Sequence, residues 1–120
     1  NLQLRLPVVV IGGGLTAIDT ATESLAYYVR QVEKFALRYR ILAEERGAAA
    51  VSASWSAEEA EIAAEFFAHA EAIAAERAQA AVEGRQPRIT QLLDSWGGAT
   101  LAYRRRLHDA YAFERVGRVR

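Results

Sequence analysis

The segment "LTAIDTATESLAYYVRQVEKFALRYRILAEER", residues 15–46, decides the fold of this chain. Its apolar and small side chains recur in steps of three and four residues, the spacing of one helix face and, over about four heptads, of a coiled-coil seam. No proline interrupts the pattern before Gly47, a favourable residue just beyond a helix end. We therefore expect a helix over residues 14–46. The predicted seam is Leu15, Ile18, Thr22, Leu25, Val29, Val32, Ala36, Tyr39 and Ala43.

A second long helix is expected over residues 57–83. Ser56 and Glu59 form a capping-box pattern, in which each side chain accepts a hydrogen bond from the other residue's backbone N–H, and Gly84 is suited to end the helix. Only a short loop, residues 47–54, separates the two helices, so we expect an antiparallel hairpin. The predicted apolar face of the second helix is Ile62, Phe66, His69, Ile73, Glu76 and Ala80.

The flanking segments are expected to add little regular structure. Two isolated parallel strands do not make a stable sheet, and they expose apolar faces and edges. We therefore predict a mainly α, single small domain over residues 1–120: a long helical hairpin that forms a dimeric bundle, with at most a residual two-stranded β element. The flanking segments are a strand and glycine turn (1–13), a short helix (88–96), a second strand (99–106) and a tail without periodicity (107–120).

Composition narrows the possible partners. Fifteen basic residues balance fifteen acidic ones, so no net field attracts a nucleic acid duplex or a membrane surface. The chain has no cysteine, which excludes thiol chemistry and thiolate metal sites. No apolar run approaches the length of a membrane span, and no signal-peptide pattern opens the chain. We expect a cytoplasmic protein without a nucleic acid or membrane partner.

The stretches "VVVIGGGLTAIDTATESLAYY" and "WGGATLAYRRRL" resemble the NADPH-binding domain of FAD-dependent pyridine nucleotide oxidoreductases, in particular the glutamate synthase small-subunit type. The resemblance implies that Gly12, Gly14 and Ala17 occupy the G-x-G-x-x-A positions that admit a pyrophosphate. It also implies that Tyr103, Arg104 and Arg105 belong to the element that meets the 2′-phosphate of NADPH. Between the two matching ends lies a helical insertion, residues 30–95.

The departures from that family concern its missing parts. The family enzyme needs an FAD domain, further strands and a closing segment, and the tail after Leu107 does not continue its pattern. We therefore interpret the glycine motif as vestigial, and we expect neither NADPH nor FAD to bind. One hypothesis is accordingly a non-catalytic fragment of an NADPH/FAD oxidoreductase with weak or no nucleotide binding. A helical interaction module is a further reading.

A metal site is the other source of chemistry in this sequence. Glu65 and His69 are four residues apart on the second helix, and Asp19 and Glu23 are four apart on the first, so each pair shares a helix face. Carboxylate and imidazole ligands suit Mn, Zn or a similar divalent ion. In the simpler reading, His69 is a packed side chain, and Glu76 pairs with an arginine.

A metal ion with open positions activates a bound water and polarises a phosphoryl oxygen. Arg104 and Arg105, with Arg106, are candidates to hold a phosphate, and His108 is a candidate acid or base, although the arginine run equally suits a solvated basic end. We therefore predict a metal-dependent phosphodiesterase on a homodimer, using a metal-bound hydroxide on a small phosphoester. The chain also resembles, more loosely, miniature metal-dependent phosphodiesterases from metagenomic sources.

Overall fold

The computed structural model describes residues 3–12, 14–104 and 111–116, and these residues are mainly helical, which confirms the predicted class. They form two compact units, which we describe separately. The sheet unit comprises Asn1–Tyr28 with Arg88–Arg120, and the hairpin unit comprises Val29–Pro87. In chain order the elements are β1 (Val8–Ile11), α1 (Gly14–Arg46), α2 (Ala48–Ser52), α3 (Ala57–Glu83), α4 (Ile89–Ser95), β2 (Ala99–Arg104) and β3 (Tyr111–Arg115).

The sheet has three strands in the order β1-β2-β3. β1 runs parallel to β2, with Ile11 opposite Ala102, and β3 runs antiparallel to β2, with Phe113 opposite Ala102. The expectation of at most two strands was wrong, because β3 lies in the segment predicted to be an irregular tail. β3 pairs with the second edge of β2, so β2 is a central strand with both of its edges hydrogen-bonded.

The two faces of the sheet differ in exposure. Side chains alternate between faces along a strand, so Ala99 and Leu101 share one face, and both are buried. The register sets Ile11, Ala102 and Phe113 in one row on the other face. There Ile11 is 74% exposed and Phe113 is 68% exposed, while Ala102 between them on the central strand is buried. The predicted exposure of apolar strand surface is therefore confirmed for Ile11 and Phe113.

In the sheet unit, the first turns of α1 bury a different face from the predicted seam, whereas the seam residue Leu25 is buried as predicted. Leu15 is 79% exposed and Ile18 is also exposed, whereas Ala17 and Ala21 are buried, followed by Tyr28 at the end of this unit. Small side chains at the first two buried positions allow a helix to lie close to the neighbouring backbone. The apolar seam read from the sequence was therefore wrong for the first turns of α1.

In the hairpin unit, α1 and α3 are antiparallel, as predicted. The ring of Phe35 meets the ring of Phe66 with centroids 5.5 Å apart, and a guanidinium nitrogen of Arg77 lies 3.2 Å from a carboxylate oxygen of Glu33. Phe35 lies 11 residues before the end of α1, and Phe66 lies 9 residues after the start of α3. Positions at similar distances from the connection therefore meet, as they do in an antiparallel helical hairpin.

The ends of α3 follow the predicted capping pattern. The Ser56 hydroxyl accepts a hydrogen bond from the Glu59 N–H, and the Ser56 N–H donates to the Glu59 carboxylate, both at 3.1 Å. Gly84 ends the helix in the left-handed conformation, with φ of 66°. The segment predicted as a loop, residues 47–54, instead contains the short helix α2. Its run of alanines has high helix propensity, which accounts for this extra turn.

Candidate functional site

The turn between β1 and α1 is built around a glycine backbone. Gly12 has φ of 139°, a conformation that residues with a Cβ rarely adopt. Its N–H donates to the carbonyl oxygen of Ala102 at 2.9 Å, and the N–H of Val8 donates to the carbonyl oxygen of Gly98 at the same distance. These bonds join β1 to the β2 side at both ends, so the turn leaves β1 from a defined position.

The first turn of α1, which begins at Gly14, carries no acidic side chain. The first N–H groups of a helix have no intrahelical partner, and they carry a partial positive charge. α3 differs, because Ser56 caps it and Glu58 and Glu59 occupy its first turn. A Cβ placed on Gly12 would lie 3.9 Å from the Cβ of Ala17, so the turn and the buried first turns of α1 are close together.

The end of β2 lies beside this turn. Ile11 pairs with Ala102, so the next two residues, Tyr103 and Arg104, come level with the glycines at the carboxyl end of the parallel pair. Ligands of parallel sheets bind at this end of the strands. The other predicted phosphate-binding and acid–base residues, Arg105, Arg106 and His108, lie outside the described part of the chain.

The predicted metal ligands Glu65 and His69 do interact. Both side chains are partly exposed on α3. Burial lowers the pKa of His69 below its ordinary value of 6.5, and the neighbouring carboxylate of Glu65 opposes this shift. The lowered pKa favours a neutral imidazole, the form that a metal ligand requires. The same observation fits a packed histidine with a local carboxylate neighbour.

The other predicted ligands belong to the sheet unit, where Asp19 and Glu23 are exposed on α1. Among residues 3–12, 14–104 and 111–116, no group of three or more His, Cys, Asp and Glu side chains is arranged to hold a metal ion. The metal site therefore stays a prediction. The predicted pairing of Glu76 with an arginine is observed: the guanidinium of Arg85 donates to both carboxylate oxygens of Glu76.

Acidification is expected to destabilise the hairpin unit through His69. Its pKa is below 6.5 in the folded state, so the unfolded chain binds more protons as the pH falls from 6.5 toward the folded-state value. The contribution of His69 to the free energy of unfolding is therefore fully present above pH 6.5. It is lost as the pH falls from 6.5 through the lower pKa of the folded state. Urea unfolding followed by the fluorescence of Trp55 at several pH values measures this slope.

Two variants check the assignment of this slope. His69→Gln is expected to flatten it, since no group then titrates at that position. Glu65→Gln removes the carboxylate that raises the pKa of His69, so it is expected to deepen the loss on acidification. A slope that is unchanged in both variants would show that another group is responsible.

One ion pair in the sheet unit had not been predicted. The guanidinium of Arg115 donates to the backbone oxygen of Asp94 at 2.8 Å and to the carboxylate of the same residue, which joins β3 to α4. The two residues are 21 positions apart. Neither residue stands out in the local sequence pattern, so only the pairing of β3 with β2 could have indicated this contact.

Comparisons with known proteins identify a relative that is much longer than this chain. No protein-family model matches the chain, and no solved structure matches it. The chain is 38% identical over 114 residues to "Uncharacterized protein RP006" of Rickettsia prowazekii (strain Madrid E), a match that covers 95% of this chain. The chain spans only 14% of the length of that relative. Within the described residues, no helix is both long and apolar enough to cross a membrane.

Proposed function

We propose that the turn between β1 and α1 binds the pyrophosphate of a dinucleotide. The observation that carries the proposal is the succession of strand β1, Gly12 in a conformation that residues with a Cβ rarely adopt, and helix α1. A glycine-rich motif is weak evidence as a sequence, and its structural context is the accepted test of it. Strand, turn and helix follow one another here in the required order.

The third strand changes the argument about this motif. We interpreted the glycines as vestigial because the FAD domain, further strands and closing segment of the family enzyme are missing, and two parallel strands alone are unstable. With β3 paired to β2, the sheet has three strands, and β1 is held along its length by the pairs from Val8–Ala99 to Ile11–Ala102. The glycine turn therefore has a structural support that the sequence-based argument lacked, and this supports phosphate binding at the turn.

The first turn of α1 supplies the electrostatics. The first N–H groups of a helix have no intrahelical partner, and together with the positive end of the helix dipole they favour a phosphate. The absence of acidic side chains in that turn leaves these groups to a ligand. Tyr103 and Arg104 lie at the same edge of the sheet, and by resemblance they would meet the 2′-phosphate of NADPH. An oxidoreductase activity would belong to a longer protein containing such a chain, and it is a further proposal.

Titration with NADPH, followed by amide NMR spectra of the isotope-labelled chain, tests the binding. We expect weak binding, with Kd on the order of 1 mM, and the amides of residues 12–17 should shift most. Inorganic pyrophosphate should shift the same amides, whereas adenosine, which has no phosphate, should not. Gly14→Val places a branched side chain in the path of the pyrophosphate, and it should abolish these shifts.

Leu15→Val is the matched control. Leu15 is in the same first turn but occupies a variable position of the motif, and its side chain points into solvent. It also introduces valine, so any general effect on the helix is shared by the two variants. Equal binding by wild type and Gly14→Val, or no shift at the turn with either phosphate compound, would overturn the proposal.

The metal-dependent phosphodiesterase is the second candidate function, favoured by the Glu65–His69 pair and the lowered pKa of His69. An activity assay on the same variants tests this second candidate. Hydrolysis of an activated phosphodiester that requires added Mn²⁺, and that His69→Ala abolishes while Gly14→Val leaves it intact, would assign the chemistry to α3. No Mn²⁺-dependent hydrolysis would count against this candidate.

A further inference from the structure

An open apolar groove lies between α1 and α3 in the hairpin unit. Its volume is about 340 Å³, and its small apolar residues are Ala36 on α1 with Ala70 and Ala74 on α3. Tyr39 and Phe67 also line it, and their rings are in edge contact with centroids 4.7 Å apart. Alanines leave space for another helix to approach the backbone closely, so the groove has the dimensions of a helix-docking surface.

The groove has one charged residue on each of its two helices. Arg40 lies on α1 and Glu71 lies on α3, and both are exposed. The ion pair of Arg77 with Glu33 also joins the two helices, three residues along from Ala74 and Ala36. The charge that α1 presents to the groove is thus opposite in sign to the charge that α3 presents.

We infer that this groove is the interface with a second copy of the chain. A two-fold axis parallel to the helices places α1 of one copy over α3 of the other. Arg40 of each copy then faces Glu71 of the other copy. The two-fold symmetry thus gives two equivalent pairs of opposite charge across the interface. Each helix in the resulting four-helix bundle has antiparallel neighbours, the arrangement that helix dipoles and short hairpin loops favour.

The expected affinity follows from the size of the face. The part of α1 in the hairpin unit, Val29–Arg46, is about 27 Å long, and two adjacent helices present on the order of 500 Å² per copy. This is at the lower end of specific interfaces, so the dimer dissociates on dilution.

Charge reversal with sedimentation equilibrium over a concentration series tests this inference. Wild type should show a reversible monomer–dimer equilibrium. Arg40→Glu and Glu71→Arg should each weaken it roughly tenfold, because each converts two attractive pairs into repulsive ones. The double variant Arg40→Glu with Glu71→Arg should restore the wild-type constant. Both side chains are exposed, so circular dichroism should show that all variants retain the helical fold.

Arg38→Glu and Glu61→Arg are the matched controls, since each reverses an exposed charge on the same helices away from the groove. They should leave the equilibrium unchanged. A wild type that is monomeric throughout, a dimer that no groove variant weakens, or single variants that the double variant does not rescue would each overturn the inference. So would an apolar dye that occupies the groove of a monomer at the highest protein concentration.

Discussion

Gly97→Ala is expected to destabilise the sheet unit by about 3 kcal/mol or more. Gly97 has φ of 114°, where a residue with a Cβ is strained. A Cβ at this position would also lie 2.8 Å from the Cβ of Pro7 and 3.0 Å from its Cα and N. These atoms belong to a rigid ring and to the backbone just before β1. The clash can therefore be relieved only by moving the strand that carries the glycine turn.

Gly84→Ala is the control for strain alone. Gly84 also has positive φ, 66°, but no atom lies within 4 Å of a Cβ built there, so the expected cost is about 1 kcal/mol. The chain has two tryptophans, and Trp96 is the one in the sheet unit. Urea unfolding of Gly97→Ala in a Trp55→Phe background therefore reports the sheet unit, whereas Gly84→Ala, in the hairpin unit, is followed by Trp55 in a Trp96→Phe background. A loss no larger than that of Gly84→Ala would contradict the argument from the clash.

Helix ends could be predicted because their causes are local. The signals at Ser56, Glu59 and Gly84 lie within a few residues of the helix ends that they set. Backbone conformation at Gly12 follows similarly from a motif of neighbouring residues. Where both cause and effect lie within one turn, a single sequence contains the necessary information.

Longer-range features were not predictable in the same way. β3 forms because β2 offers an unpaired edge, and strand preference depends on such neighbours more than on the residues themselves. The first part of the seam, Leu15, Ile18 and Thr22, was wrong for a related reason, whereas its next members Leu25, Val29 and Val32 are buried as predicted. Helical periodicity predicts that one face is buried, but the neighbouring elements decide which face, and here the face of Ala17 and Ala21 is buried.

The two candidate sites also differ in whether their residues are close together in the sequence. The glycine turn is contiguous in sequence, so its strand, turn and helix could be anticipated together. The proposed metal ligands depend on side chains from different helices, and their spacing within one helix says nothing about the distance between helices. Only the pair formed within α3, Glu65 and His69, is seen to interact.

Phe66→Ala is expected to destabilise the hairpin unit by about 3–5 kcal/mol. Phe66 is 1% exposed and is one of the largest fully buried side chains of the described residues. Its ring meets the ring of Phe35 edge to face, and Phe35 also lies 6.4 Å from Trp55 between centroids. Removing the ring leaves a cavity beside Phe35, which the rigid neighbouring helices can fill only in part.

Val82→Ala is the matched control on the same helix. Val82 is 82% exposed, so its truncation loses little buried surface, and alanine is the better helix former; the expected change is within about 0.5 kcal/mol. In a Trp96→Phe background, fluorescence reports Trp55 alone, which contacts the rings of Phe35 and Tyr39. A loss for Phe66→Ala of the same size as for Val82→Ala would mean that α1 and α3 are held together chiefly by contacts other than the ring of Phe66. An unfolding midpoint of the wild type that rises with protein concentration would then assign part of that stability to the interface between copies.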